Sequence, residues 1–375
     1  MNLENKVKAS VLIFTYNRKQ FIKNALDSVL ASHGVVDNVE IIISTCISRD
    51  ELALDRVPST VRYVTFPAQT LYGEQLLETV KVSKGEILFF LEDDDVFSSY
   101  KIKAVLDLFH TNTEVIAVKN AAMKIKGGAY IDESTFKNEL EVLRHTNKSR
   151  DYNTESLKPR DIYDMILDGM VFNPSTLSVK RSVILENENL IRNNHPMDIL
   201  LSAAILNSHG LFKYIDENLT AYRLHSSNDS YFDQEQNVNE LIERMLKTSN
   251  KYNEGLHGAY NTVSLTPAAR LLIQFINSKD RFRSLILTRH RSRDILIKAL
   301  INDFERDYSL GKQMIPNHKI IDLSFLIDFL IPYIKITRVQ TLAIKLPISL
   351  IYVLNRNLAY RIYINLTLRI MSNFN

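Results

Sequence analysis

Apolar and polar positions alternate in blocks over roughly the first 120 residues, and the blocks predict βαβ units. Val11–Phe14 is a short apolar strand, after which Phe21, Ala25, Leu26, Val29 and Leu30 recur at helical spacing. Val39–Ile43 and Val61–Val64 read as a second and a third strand. Leu76, Leu77 and Val80 mark a helix that stops near Gly85. Ile87–Leu91 is apolar at every position, as a strand buried on both faces of a parallel sheet should be. A helix with Val105, Leu106 and Phe109 follows, then a strand over Val115–Val118. The pattern predicts a doubly wound α/β sheet, in which ligands bind beyond the carboxyl ends of the strands.

Residues 130–160 are polar and charge-rich, which predicts loops or a surface helix. From about 235 the periodicity turns helical through Leu241, Met245, Leu271, Ile276, Leu296 and Leu300. The expected organisation is therefore an α/β domain over residues 1–235 and a helical region over 236–375. From about residue 329 the tail carries Lys335, Arg338, Lys345, Arg356, Arg361 and Arg369 among Ile, Leu and Tyr, with no acid after Asp328. Two readings stand for it: a basic amphipathic element on an anionic membrane surface, or a helical cap with a solvated basic face.

Composition narrows the class. Hydrophobic residues make up 45% of the 375-residue chain and charged residues 24%, which suits a globular protein with a sizeable core. The formal net charge of +3 is too small to argue for a nucleic-acid partner. The single cysteine, Cys46, excludes an internal disulfide and fits a packed thiol in a reducing compartment. The opening MNLENKVKAS lacks the apolar core of an export signal, and no stretch nears the roughly 20 apolar residues that span a bilayer. The expectation is a cytoplasmic protein, seated at the inner face of the membrane if the tail binds there.

The candidate chemistry lies where Ile87–Leu91 meets four consecutive carboxylates, Glu92, Asp93, Asp94 and Asp95. Such a run is either a solvated acidic turn or a site for a hard cation, since oxygen ligands suit Mg²⁺ or Mn²⁺. A divalent ion would offset the mutual repulsion and leave coordination positions for a phosphate.

Several segments together resemble the family 2 glycosyltransferases of the GT-A fold. Ser10-Val11-Leu12-Ile13-Phe14-Thr15-Tyr16-Asn17-Arg18 is similar to that family's opening strand, and Gly85-Glu86-Ile87 with Leu91-Glu92-Asp93-Asp94-Asp95 to its acidic segment. Gly169-Met170-Val171-Phe172-Asn173-Pro174-Ser175-Thr176 looks like the loop that shapes the acceptor pocket. His195-Pro196-Met197-Asp198 falls where the family carries an acidic pair, and Tyr222-Arg223-Leu224-His225 with Asn228 and Ser230 resembles its Y-R-x-H signature. The resemblance covers roughly residues 8–235.

The resemblance implies a Rossmann-like mixed sheet flanked by helices, an inverting single displacement, and a nucleotide-diphosphate sugar as donor. The acceptor it implies is a glycan or a lipid-linked hydroxyl. Glu92, Asp94 and His225 are the implied metal ligands, with Asp93 nearer the ribose and Asp95 orienting its neighbours or bonding the adjacent backbone. Asp198 is the implied base. Thr15, Tyr16, Arg18, Ser44 and Arg223 are the implied contacts to base or phosphate. For Asp198 a helix N-terminal acid remains the plainer alternative, and for His225 a solvated loop residue.

The sequence departs from the family in three places. Phe14 replaces a proline, Leu77 replaces a helix asparagine, and Ser44-Thr45 ends the second strand where an acidic segment usually binds the nucleobase. Two other readings follow: a catalytically degenerate protein of this fold acting as an assembly partner, and a sugar nucleotidyltransferase. The latter normally needs a glycine-rich basic loop after the first strand, which Phe14–Arg18 does not supply.

Overall fold

Residues 7–15, 19–32, 38–52, 54, 57–127, 149–158, 161–162, 165, 170–171, 173–192, 197–225, 264–273 and 276 are described by a computed structural model. By its internal contacts the chain divides into two compact units. One comprises Met1–Asn237 and Glu254–Ile273, the other Val238–Asn253 and Gln274–Asn375. All the architecture below belongs to the first. The basic tail from 329 lies outside the described residues.

The expected strands and helices form in order. They are β1 (Ala9–Thr15), α1 (Lys19–Leu30), β2 (Val39–Thr45), β3 (Val61–Thr65), α3 (Tyr72–Val82) and β4 (Ile87–Glu92), with the short, unexpected α2 (Arg49–Leu52) between β2 and β3. The short β5 (Val96–Phe97), α4 (Lys101–Thr111) and β6 (Val115–Lys126) follow. Then come β7 (Arg150–Asn153), a 3₁₀ turn over Pro174–Thr176, β8 (Leu177–Lys180), α5 (Arg181–Glu186), α6 (Glu188–Ile191), α7 (Met197–Leu206) and β9 (Leu211–Leu224). Among the described residues no helix is long and apolar enough to cross a membrane.

The strands make one mixed sheet in the order β3-β2-β1-β4-β8-β6-β9-β5, with β7 also paired to β9. β1, β2, β3 and β4 are parallel, whereas β8 runs antiparallel to both β4 and β6. Every residue of β1 is buried, and so are Ile87–Leu91 of β4, because helices cover both faces of this half of the sheet. The core joins Val11, Ile13, Phe89 and Leu91 to Ile22, Ala25 and Val29 of α1 and to Val105 and Phe109 of α4. Gly85 is required at the entry to β4: a Cβ there would lie 2.3 Å from the backbone of Ala9 and Ser10. Its N–H donates to the Ser10 hydroxyl at 2.8 Å, which holds β4 in register with β1.

Residues 150–153, expected in a loop or surface helix, are instead a strand against β9. The polar Arg150-Asp151-Tyr152-Asn153 gives no apolar alternation to reveal it, and only Tyr152 is buried. β9 itself runs parallel to β6 through three register shifts, so its far end, Tyr222–Leu224, pairs with Lys124–Lys126 at the far end of β6. β9 also pairs with β5 through Ala221 and Val96. That pairing places the Tyr222–His225 segment beside the acidic run.

Candidate active site

β4 ends at Glu92, and the chain turns at once: the Asp95 N–H donates to the Glu92 carbonyl at 3.1 Å. The Asp93 N–H donates to the Phe14 carbonyl at 3.0 Å, tying the turn to the end of β1. Asp93, Asp94 and Asp95 are 0%, 2% and 0% exposed, so the solvated-turn reading is excluded. Glu92, Asp94 and Asp95 each present an oxygen within 4.8 Å of the others. An all-oxygen donor set of that size fits a hard divalent cation such as Mg²⁺ or Mn²⁺.

Arg223 holds this turn in place. Its Nε donates to the Asp94 carbonyl at 2.8 Å, one Nη to the Gly127 carbonyl at 2.9 Å, and the other to Asn24 Oδ1 on α1 at 2.8 Å. Its backbone N–H donates to the Asp95 carboxylate at 3.1 Å, and its guanidinium lies over the Phe21 ring at 5.0 Å. At 1% exposure, Arg223 is a clamp on the acidic turn rather than the phosphate contact expected of it. The rigid guanidinium fork suits three separate acceptors, which a lysine could not satisfy together. Asp95 takes its expected place, bonding neighbouring backbone.

His225, one residue beyond β9, places Nε2 2.9 Å from Asp94 Oδ2, and its ring packs on Phe21 at 4.7 Å. The structure therefore joins His225 to Asp94, whereas the acids that gather around Asp94 are Glu92 and Asp95. Thr15 closes the same edge; it is 1% exposed, and its hydroxyl has no hydrogen-bond partner among the described residues. Tyr16 and Arg18 lie outside the described residues, as does His195.

Asp198 opens α7. Its carboxylate accepts the Ile199 N–H at 2.9 Å, and the backbone N–H groups of Asn173 and Asp198 itself also reach it. Burial pushes its carboxyl up to about 6, while these bonds and the nearby Lys119 ammonium pull the other way. The raised value is that of a carboxyl able to exchange a proton near neutrality.

The Asn173 backbone is strained to φ 63°, the one non-glycine residue with positive φ among those described. Its side chain caps the 3₁₀ turn, accepting the Ser175 N–H at 2.8 Å. Ser175 Oγ accepts the Glu92 N–H at 3.0 Å, so the turn touches β4 on one side and Asp198 on the other.

Sequence reasoning missed three residues here. Tyr222 sits among the carboxylates: burial first, then the charges of Asp95, Glu92, Asp94 and Asp198, push its phenol well above the ordinary range. Lys101 and Lys119 are both buried. Lys101 donates to the Ser175 carbonyl and, at 2.9 Å, to Thr220 Oγ1; Lys119 donates to Thr176 Oγ1. Tyr222 was visible in the Y-R-x-H stretch, but nothing marks either lysine as internal.

The end of β2 is arranged differently. The buried Ser44 hydroxyl shares a hydrogen bond with Thr79 at 2.8 Å and accepts one from Gln75 at 3.1 Å, both on α3. Thr45 Oγ1 accepts the Ile47 N–H at 3.0 Å. Ser44, expected to meet the donor's base, is thus bonded to α3. Cys46 is half-buried beside Gln75, and burial raises its thiol, as expected of an inert cysteine. Phe14, in the place of the family's proline, packs edge-on to Tyr72 at 5.4 Å, and Leu77 is fully buried.

The mixed sheet with its helices on both faces and acidic turn at the end of β4 is the GT-A architecture. Residues 10–172 match the model of glycosyl transferase family 2. An uncharacterized glycosyltransferase of Nostoc sp. (strain PCC 7120) is 26% identical over 246 residues, or 60% of this chain. The match spans 66% of that relative's length. The fold is similar to that of Staphylococcus aureus TarS residues 1–349 in complex with UDP-GlcNAc, with a TM-score of 0.52 and 13% identity. That likeness covers 86% of this chain and 87% of the other. A second structure of S. aureus TarS gives a TM-score of 0.51 at 11% identity, over 86% of this chain and 52% of the other.

Proposed function

We propose that the protein transfers a sugar, with inversion, from a nucleotide diphosphate to a hydroxyl of a glycan or lipid-linked acceptor, assisted by a divalent cation. The observation that carries this reading is the acidic turn after β4, where Glu92, Asp94 and Asp95 each present an oxygen within 4.8 Å of the others, as a hard divalent cation would require.

In this reading Asp94 is the principal ligand, Glu92 and His225 assist it, and Asp93 and Thr15 line the donor side. The cation would neutralise charge on the departing diphosphate. The acceptor oxygen forms its bond to the anomeric carbon as the bond from that carbon to the diphosphate oxygen breaks. The proton of the acceptor hydroxyl passes to Asp198, whose backbone bonds from Asn173 and Ile199 fix its direction. The UDP-GlcNAc held by S. aureus TarS supports a nucleotide-diphosphate donor.

The test is donor binding and slow hydrolysis over a panel of UDP-, GDP- and dTDP-sugars with Mn²⁺ or Mg²⁺. Cation-dependent binding that disappears in Asp94→Ala, and hydrolysis that disappears in Asp198→Asn while binding persists, are the expected results. Binding that ignores the cation would sink the metal assignment. For the acceptor, the basic tail suits an anionic membrane surface. Removing residues 329–375 should abolish binding to vesicles containing phosphatidylglycerol, and unchanged binding would remove the membrane from the proposal.

A further inference from the structure

A lysine inside a protein is costly unless it serves a partner. Lys119 is 3% exposed on β6 and donates to Thr176 Oγ1. Thr176 Oγ1 passes a hydrogen bond on to the Asn173 carbonyl at 2.7 Å. The Asn173 N–H, aimed by its strained φ of 63°, reaches Asp198. An unbroken run of polar contacts therefore leads from the lysine, through the 3₁₀ turn, to the carboxylate.

We propose that Lys119 is a positioning residue for the base: its ammonium, seated on Thr176, holds the Asn173 turn that aims Asp198. The role rests on Asp198 being the base. Charged and titratable groups act on this pair from several elements. Lys119 on β6 and Tyr222 on β9 interact with Asp198 on α7, while Lys101 on α4 interacts with Lys119. Lys119 and Asp198 move each other in the sense that favours both charges: the lysine lowers the acid, and the acid raises a lysine that burial has brought to about 7. Lys101 stands on the other side of the turn, on the Ser175 carbonyl, and there Lys119 opposes its charge while Asp95 favours it. The two lysines hold adjacent residues of one turn.

The test does not need a substrate. The full chain is labelled with carbon-13 at aspartate side-chain carboxyls, and the Asp198 resonance is the one missing from Asp198→Asn. Its titration midpoint is expected near 6 in the unaltered protein. In Lys119→Met it should rise by about one pH unit or more, the usual effect of removing an opposite charge close by. Thr176→Val keeps the charge but unseats it, and should move the midpoint the same way by less. That variant also decides the matter if Lys119→Met does not fold. A midpoint unmoved in a folded Lys119→Met, or in Thr176→Val should the first not fold, overturns the proposal. Failure of the underlying reading looks different: Asp198→Asn would then hydrolyse donor at the normal rate, whatever the titration shows.

Discussion

β4 and β2 flank β1 as parallel neighbours and end at the same edge of the sheet, yet their last residues are treated in opposite ways. At β4 the scaffold grips mainly backbone: Arg223 takes the Asp94 carbonyl, Asp93 bonds Phe14, and Ser175 takes the Glu92 N–H. The carboxylates of Glu92, Asp94 and Asp95 are left gathered against one another. At β2 the scaffold takes the side chains themselves, with Ser44 held by Gln75 and Thr79 and Thr45 folded onto Ile47. The acidic turn is held through backbone and through Asp95 and Asp94, which bond Arg223 and His225, whereas at β2 the hydroxyls are held within the fold by α3 and Ile47.

The contrast can be broken most sharply at β4. Asp94→Ala should weaken Mn²⁺-dependent donor binding by roughly a hundredfold or more, read by calorimetry with and without the ion. Asp198→Asn should slow sugar transfer by about 10² to 10⁴ while donor affinity stays within about twofold. If both fall together, Asp198 belongs to donor binding and not to proton transfer.

Next in size is Arg223→Lys. It leaves the Gly127 and Asn24 acceptors without their fork and should cost roughly 2–4 kcal/mol, read as a lower denaturation midpoint. Donor binding should weaken in parallel, because the turn it clamps carries the ligands.

The pH profile is a gentler probe. A base must be ionised, and the Asp198 carboxyl lies at about 6, so the rate should fall about tenfold per unit below that pH and level off above it. The same elevation has a stability consequence of definite sign. A folded-state value raised from 3.8 to about 6 contributes stability below the lower figure, and that contribution is lost as pH rises through the upper one. Asp198→Asn should therefore raise the melting temperature at pH 8 by a few degrees and by less at pH 5.

The smallest effect belongs to β2. Ser44→Ala should cost about 1–2 kcal/mol by stranding Gln75 and Thr79, with donor affinity changed by less than about twofold. A large loss of donor affinity there would erase the distinction between the two strand ends.

The elements legible in the sequence are those whose burial is decided locally. Val11–Phe14, Ile41–Ile43 and Ile87–Leu91 are apolar because both faces of the parallel sheet are covered, and the ends of these strands fell within a few residues of prediction. The strands that escaped notice depend on partners far away. β5, β7 and β8 have only 2, 4 and 4 residues, too few to show a period. β9 interrupts its pattern with the exposed Asp216 and Glu217 and follows β6 through bulges that no local rule predicts.

The site divides in the same way. The acidic run and Asp198 announced themselves by residue type, whereas Arg223 was read as a phosphate ligand because its three acceptors come from α1, the acidic turn and the end of β6. Lys119 and Lys101 look like surface residues in the sequence. Only the packing of β6 and α4 against the Pro174–Thr176 turn makes them internal.

That turn carries a practical consequence for anyone recombining this enzyme with its relatives. A loop that the family resemblance assigns to the acceptor side is the natural segment to exchange when a new specificity is wanted. Here its residues also bond Glu92 through Ser175 and reach Asp198 through Asn173. A graft with junctions inside 173–176 would disturb the bonds to Glu92 and to Asp198 at once. Chimeras should keep Asn173–Thr176 and the two lysines as one inherited block, with crossover points outside it.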